Sequence, residues 1–321
     1  MEVIADLVLR PKLDAADLRQ EVGVIAQEIA EAADTPDDFV FEIAQAAAFG
    51  ETPLGRPVLG TEASIGEATP ATLEAWRGRL YAPGGLVVSA AGAVDEMELV
   101  DLAERLFGEA PARAAPAAPP ARFVGGRAGE ARRLEQAHLV FLLPGVSATD
   151  PGNFASRLFA EALGGGMSSR LFQEARERLG LAYAIDAFSE AYADTGLVGI
   201  YAGCAAKDAK ALATVAAGEV RKLAAGVEPK ELARCKAQLK ASLFMARESL
   251  AARAEQAAAQ LLVFGRLLTA EEIAAAIDAV TPEAFAAAGG RLLSQRLAAP
   301  AVLGPARALP AADRFSDVLF G

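Results

Sequence analysis

Apolar residues recur three and four positions apart along most of this chain, and alternate in step with a strand in only a few short runs. Leu18, Val22, Ile25 and Ile29 form one such stripe, which predicts a helix over residues 15–33 with Asp14 as its cap. Before it, residues 1–9 read as the tail of a helix broken by Pro11. Thr35-Pro36 opens a further helix that runs through Phe49, and a loop rich in glycine and proline follows over 50–66. Thr69-Pro70 opens a helix ending near Tyr81, Pro83-Gly84-Gly85 turns the chain into an apolar strand over 86–91, and Asp95 caps a helix through Phe107. Later in the chain the pattern predicts strands over 138–143 and 299–303, and a hairpin of 182–191 with 197–202 across Asp194-Thr195-Gly196. Helices are expected over 153–163, from the following glycines to 179, over 208–225 and 229–264, and from Thr281-Pro282 onward. Helices and antiparallel strands in this order give an α+β class.

The second half repeats the first. Thr69-Pro70 stands 23 residues before Gly92, Thr281-Pro282 stands 23 residues before Gly304, and Phe49-Gly50 finds its counterpart in Phe264-Gly265. Repeated supersecondary units imply duplicated domains. Residues 1–109 are expected to be the back part of a first copy, 110–130 a linker rich in proline and alanine, and 131–321 a complete second copy. The expected fold is therefore two related domains, each an antiparallel sheet packed with helices, the first lacking its front strands.

Composition narrows the functions. A formal charge of -11 argues against nucleic acid as a partner, because phosphate binding wants a basic face. No apolar run reaches the roughly 18 residues that span a bilayer, so no membrane association is expected. Met1 is followed by acidic rather than basic residues, which predicts no secretory leader and a cytoplasmic location. Cys204 and Cys235 form neither a disulfide framework nor a metal motif and read as core residues.

Two stretches carry candidate chemistry. Gly164-Gly165-Gly166-Met167-Ser168-Ser169 follows a helix and is not followed by Lys-Ser/Thr, which excludes the phosphate-loop and dinucleotide readings and leaves a helix–helix connection. Arg176 and Tyr183 come seven residues apart just after it. Glu21 and Glu28 are also seven apart; at 100° per residue they differ by about 20° in azimuth and share one helix face. A solvated face is the ordinary explanation of such a pair.

Taken together, Gly-Gly-Gly-Met-Ser-Ser-Arg-Leu-Phe with Arg176 and Tyr183, and Glu21-Val22-Gly23-Val24-Ile25-Ala26-Gln27-Glu28, resemble the pitrilysin/insulinase family of zinc metallopeptidases, which includes the mitochondrial processing peptidases. The resemblance implies a zinc endopeptidase that encloses peptides between two domains. It implies that Glu28 is a zinc ligand and that Glu21 orients a ligand histidine. It further implies that Gly164, Gly165, Gly166, Ser168 and Ser169 contact substrate, that Arg176 holds a substrate carbonyl, and that Tyr183 donates to the tetrahedral oxyanion. The family's other ligands and its general base come from a His-x-x-Glu-His motif. The only histidine here is His138, which opens an apolar strand and is expected to be structural or a weak substrate contact. Catalytic zinc takes three protein ligands, so these residues alone are expected to bind no zinc. The chain then reads as a truncated peptidase, as a non-catalytic partner subunit in a homo- or heterodimer lending an Arg–Tyr surface to another chain's site, or as a degenerate structural protein.

Overall fold

The computed structural model describes residues 1–81, 85–108 and 119–321. Residues 110–118 of the expected linker, and Pro83-Gly84 of the expected turn, lie outside them. In chain order the helices are α1 (Glu2–Leu9), α2 (Ala15–Ala33), α3 (Pro36–Phe49), α4 (Glu62–Gly66), α5 (Pro70–Leu80), α6 (Glu96–Phe107), α7 (Asn153–Gly164), α8 (Ala209–Ala224), α9 (Pro229–Ala246), α10 (Leu250–Phe264), α11 (Ala270–Asp278), α12 (Pro282–Ser294) and α13 (Ala311–Phe320). The strands are β1 (Ala128–Ala131), β2 (Gln136–Pro144), β3 (Ala184–Ala191), β4 (Gly196–Ala205) and β5 (Ala299–Gly304). The fold is α+β.

The chain divides into two compact units that do not follow its order. Residues 1–31, 58–119 and 245–268 form the first, and residues 32–57, 120–244 and 269–321 the second. The first half thus gives α3 to the second unit, and the second half gives α10 to the first. These two helices are the counterparts that the repeat identifies: α3 ends at Phe49-Gly50 and α10 at Phe264-Gly265, each closed by a glycine at positive φ.

The described residues of the first unit form helices and connecting loops, with no strand among them. The apolar run at 86–91 forms no strand there, because a strand needs a hydrogen-bonded neighbour and the described part of this unit offers none. Its helices are closed by their own chemistry. The Thr69 hydroxyl accepts from the Thr72 amide at 3.1 Å, Asp95 accepts from Glu98 N at 3.0 Å, and Arg77 donates to the Val8 and Leu9 carbonyls at the end of α1. Burial is slight: Ala5 is the only buried apolar residue described in this unit.

The second unit holds the sheet, ordered β1-β5-β2-β4-β3, with β1 parallel to β5 and all other neighbours antiparallel. β2 sorts its side chains by period two. Leu139, Phe141 and Leu143 are buried on one face, where the Phe141 ring stacks on Phe315 of α13 at 4.1 Å. Val140 and Leu142 face the other way into a cluster with Val40, Ala44, Ala48 and Phe49 of α3. Helices therefore cover both faces, with α3 lying over the second.

Four local expectations change. Residues 128–130 of the expected linker belong to β1, whose ladder with β5 overrides a sequence without strand character, and Phe123 before it is buried. The helix expected over 229–264 is two, because the Ser249 hydroxyl accepts from Ala252 N and caps α10. The helix expected to reach 179 is a π-helical turn, Phe172–Arg178. Gly164 is the last residue of α7 rather than part of a loop.

Gly164 has a packing reason to be glycine. A Cβ there would collide with the Ala187 amide and stand 2.6 Å from the Ala187 Cβ, against the backbone of β3. Gly164→Ala is expected to cost about 1–3 kcal/mol, the range of overpacking. Denaturant unfolding followed by circular dichroism reads this directly; an unchanged midpoint would show that α7 can shift away from β3 freely.

Candidate functional site

Glu21 and Glu28 lie on α2 in the first unit, and both are exposed. That helix buries no residue at all. The shared face predicted from their spacing is thus present, and it faces solvent. Zinc would need two more ligands beside Glu28. Among the described residues no group of three or more His, Cys, Asp or Glu side chains could hold a metal ion. The residues present therefore do not fit the zinc that the family resemblance implies, and no chemical step is assigned to a metal on this chain.

The glycine segment lies in the second unit, where α9 braces it. Arg170 forms a two-pronged ion pair with Glu231 at 2.9 and 2.7 Å, both side chains largely covered. Arg234 donates to the Ser168 carbonyl at 3.0 Å, and Gln173 donates to the Met167 carbonyl at 2.7 Å. Burial raises the Glu161 carboxyl above the usual range, with the Arg234 charge opposing the shift. Gly165 and Ser168 are exposed and Gly166 half-buried. Ser169 is buried, and its hydroxyl has no hydrogen-bond partner.

Arg176 and Tyr183 follow this braced segment. Arg176 sits in the π-helical turn, exposed, its guanidinium 4.7 Å from the centre of the Phe172 ring. Such wide turns occur mostly as single insertions and often at functional sites. The turn closes by Leu179 N donating to Glu174 O and Leu181 N to Ala175 O, with Gly180 at φ +62. Tyr183 then leads into β3, with its amide donating to Gly203 O at 2.8 Å and the residue 60% exposed. Backbone bonds thus fix both residues while their polar ends stay accessible. An exposed guanidinium and an exposed phenol offer hydrogen-bond donors; they supply no nucleophile and no general base.

One cluster lay outside the sequence reading of the site. His138 Nδ1 is 3.0 Å from the Tyr201 hydroxyl, and Phe41 of α3 stacks on Tyr201 at 5.5 Å. Its only sequence signal was a lone histidine opening a strand.

Comparison with known proteins agrees with the motifs. Residues 67–239 match the family described as peptidase M16 inactive domain, and residues 1–62 match insulinase (peptidase family M16). A Rickettsia bellii protein named an uncharacterized zinc protease is 35% identical over 306 residues, covering 95% of this chain and 74% of its own length. A Streptomyces coelicolor protein of the same description is 34% identical over 315 residues, covering 95% and 68%. Among solved structures, a chain of complex III from Candida albicans superposes with a TM-score of 0.91 at 20% identity, covering 99% of this chain and 79% of that one. A peptidase M16 inactive domain from Pseudomonas fluorescens gives 0.83 at 21%, covering 95% and 74%. At these identities the two structures show the fold alone.

Proposed function

The chain belongs to the M16 peptidase family, a zinc protease lineage, and from that premise we propose that it serves peptide hydrolysis as a substrate-holding component whose metal-binding histidines come from outside these 321 residues. The observation that carries the reading is the state of Arg176 and Tyr183: both exposed, both fixed by backbone bonds, beside a segment braced by α9. In this reading Arg176 holds a substrate carbonyl and Tyr183 donates a hydrogen bond to the oxygen as it gains charge. Gly165, Gly166 and Ser168 offer backbone groups to the peptide, and Ser169, being buried, shapes the segment. Glu28 would complete a metal centre supplied with histidines from elsewhere, with Glu21 orienting one of them. The same features fit a partner subunit of a homo- or heterodimer, and the test separates the two.

The 321-residue chain is joined to, or mixed with, a family segment carrying His-x-x-Glu-His. Cleavage of an internally quenched peptide and zinc content after dialysis are then measured. Activity and zinc only when the two are covalently joined support one polypeptide; activity on mixing with an intact M16 subunit supports the partner reading. Peptide cleavage by the chain alone, resistant to chelators, would overturn both.

A further inference from the structure

The second face of the sheet carries a polar row at the end nearest the start of α3. His138 on β2 pairs through Nδ1 with the Tyr201 hydroxyl on β4 at 3.0 Å, and Asp186 on β3 lies directly opposite Tyr201 in the ladder. Over this row sits the first turn of α3, with Asp37 and Asp38 in it and Phe41 stacked on the Tyr201 ring at 5.5 Å. On the remaining side, β5 sets apolar Leu303 opposite His138. Burial first, and these carboxylates after it, push the Tyr201 phenol up to about 12, so it stays protonated. His138 is the only group of the row whose ordinary pKa lies near neutrality.

We propose that the half-covered imidazole of His138 is an acid-sensitive support beneath α3: while neutral it lets the first turns of α3 lie on the sheet, and on protonation it loosens them as the pH falls. The pair sits half-covered, and a charged imidazolium under α3 must give up water. β2 cannot yield, since its hydrogen bonds run to β4 and β5 along the strand. The start of α3 can yield, because Asp37 and Asp38 in its first turn are exposed and prefer water. Burial lowers the folded-state pKa of His138, with Asp37 opposing. The detached state has the ordinary value and binds the proton first. The contribution to holding α3 is therefore complete above the ordinary pKa and is lost as the pH falls toward the folded value.

The test uses the intact chain without a histidine tag. Amide-exchange protection of residues 36–49, corrected for intrinsic rates, is compared at pH 7.5 and pH 5.5. Protection is expected to fall by about 2- to 12-fold, the factor matching the net worth of one hydrogen bond, with β2 and β4 unchanged. His138→Gln is expected to abolish the difference. No pH effect in the wild type overturns the proposal, and an effect that persists in His138→Gln assigns it to Asp37, Asp38 or Asp186 instead. Should that variant fail to fold, the wild type still decides: the single imidazole can be titrated by NMR, and a midpoint at or above the ordinary histidine value overturns the proposal.

Discussion

Amide exchange of the intact chain is expected to separate its two units by about a thousandfold or more. Strands β2, β4 and β5 and helix α8 should be the slow set, and α1, α2, α5 and α6 the fast one. Folded stability in water comes mostly from apolar area removed from it, at about 25 cal/mol per Å². In the second unit that area is large: β5 is buried along its whole length, β2 in seven of its nine positions, Phe141–Phe315 joins the sheet to α13, and Phe159–Phe285 joins α7 to α12. In the first unit α2, α5 and α6 bury nothing, α1 buries Ala5 and α10 buries Gln260. Val3, Ile4 and Leu7 of α1 stand more than half exposed. Helices of this length are marginal in water without packing, so they open locally at little cost, whereas the sheet opens only with the whole unit. A difference of about 4 kcal/mol already corresponds to a thousandfold. Equal protection would mean that the helices of the first unit are stabilised by something other than burial.

Features decided locally were legible in the sequence. Thr69-Pro70 and Thr281-Pro282 announced helix starts because a threonine hydroxyl and a proline at the first turn act within three residues. The stripe of Leu18, Val22, Ile25 and Ile29 gave the bounds of α2, and the apolar run of β2 could be nothing but buried. Features decided by distant partners were not. Leu86, Val87 and Val88 carry strand character, yet no ladder forms for them in the described part of their unit. Ala128-Gly129-Glu130-Ala131 has no strand character and becomes β1 because β5 lies beside it. The repeat named α3 and α10 as counterparts but could not reveal that each packs within the other half's unit, since periodicity shows an apolar face and not what it meets. The site divides in the same way. The common face of Glu21 and Glu28 followed from helix geometry alone. Arg176 and Tyr183 gained a role only from resemblance, because neither the widened turn around Arg176 nor the exposure of Tyr183 has a signature in spacing.

Tyr183→Phe is expected to lower kcat by about 10²–10³ in a form of the protein that cleaves peptides, the usual effect of removing one oxyanion donor. Stability should be unaffected, because the residue is 60% exposed and is held by its backbone, its amide bonding to Gly203 O. An exposed polar tip removed from a strand entrance normally changes stability by no more than about 0.5 kcal/mol. Arg176→Ala should behave differently. It removes a guanidinium that would hold the substrate carbonyl before reaction as well as during it, so KM should rise while kcat falls. It also gives up the stacking on Phe172, a small loss for an exposed pair. Glu28→Gln should differ from both by lowering bound zinc together with activity, since the amide removes a charged ligand. The three variants therefore form a set: rate alone, rate with binding, and rate with metal. The decisive member is Tyr183→Phe. If it leaves kcat unchanged while Glu28→Gln still abolishes zinc and cleavage, the second unit contributes only its fold to catalysis and the oxyanion role belongs to a residue elsewhere.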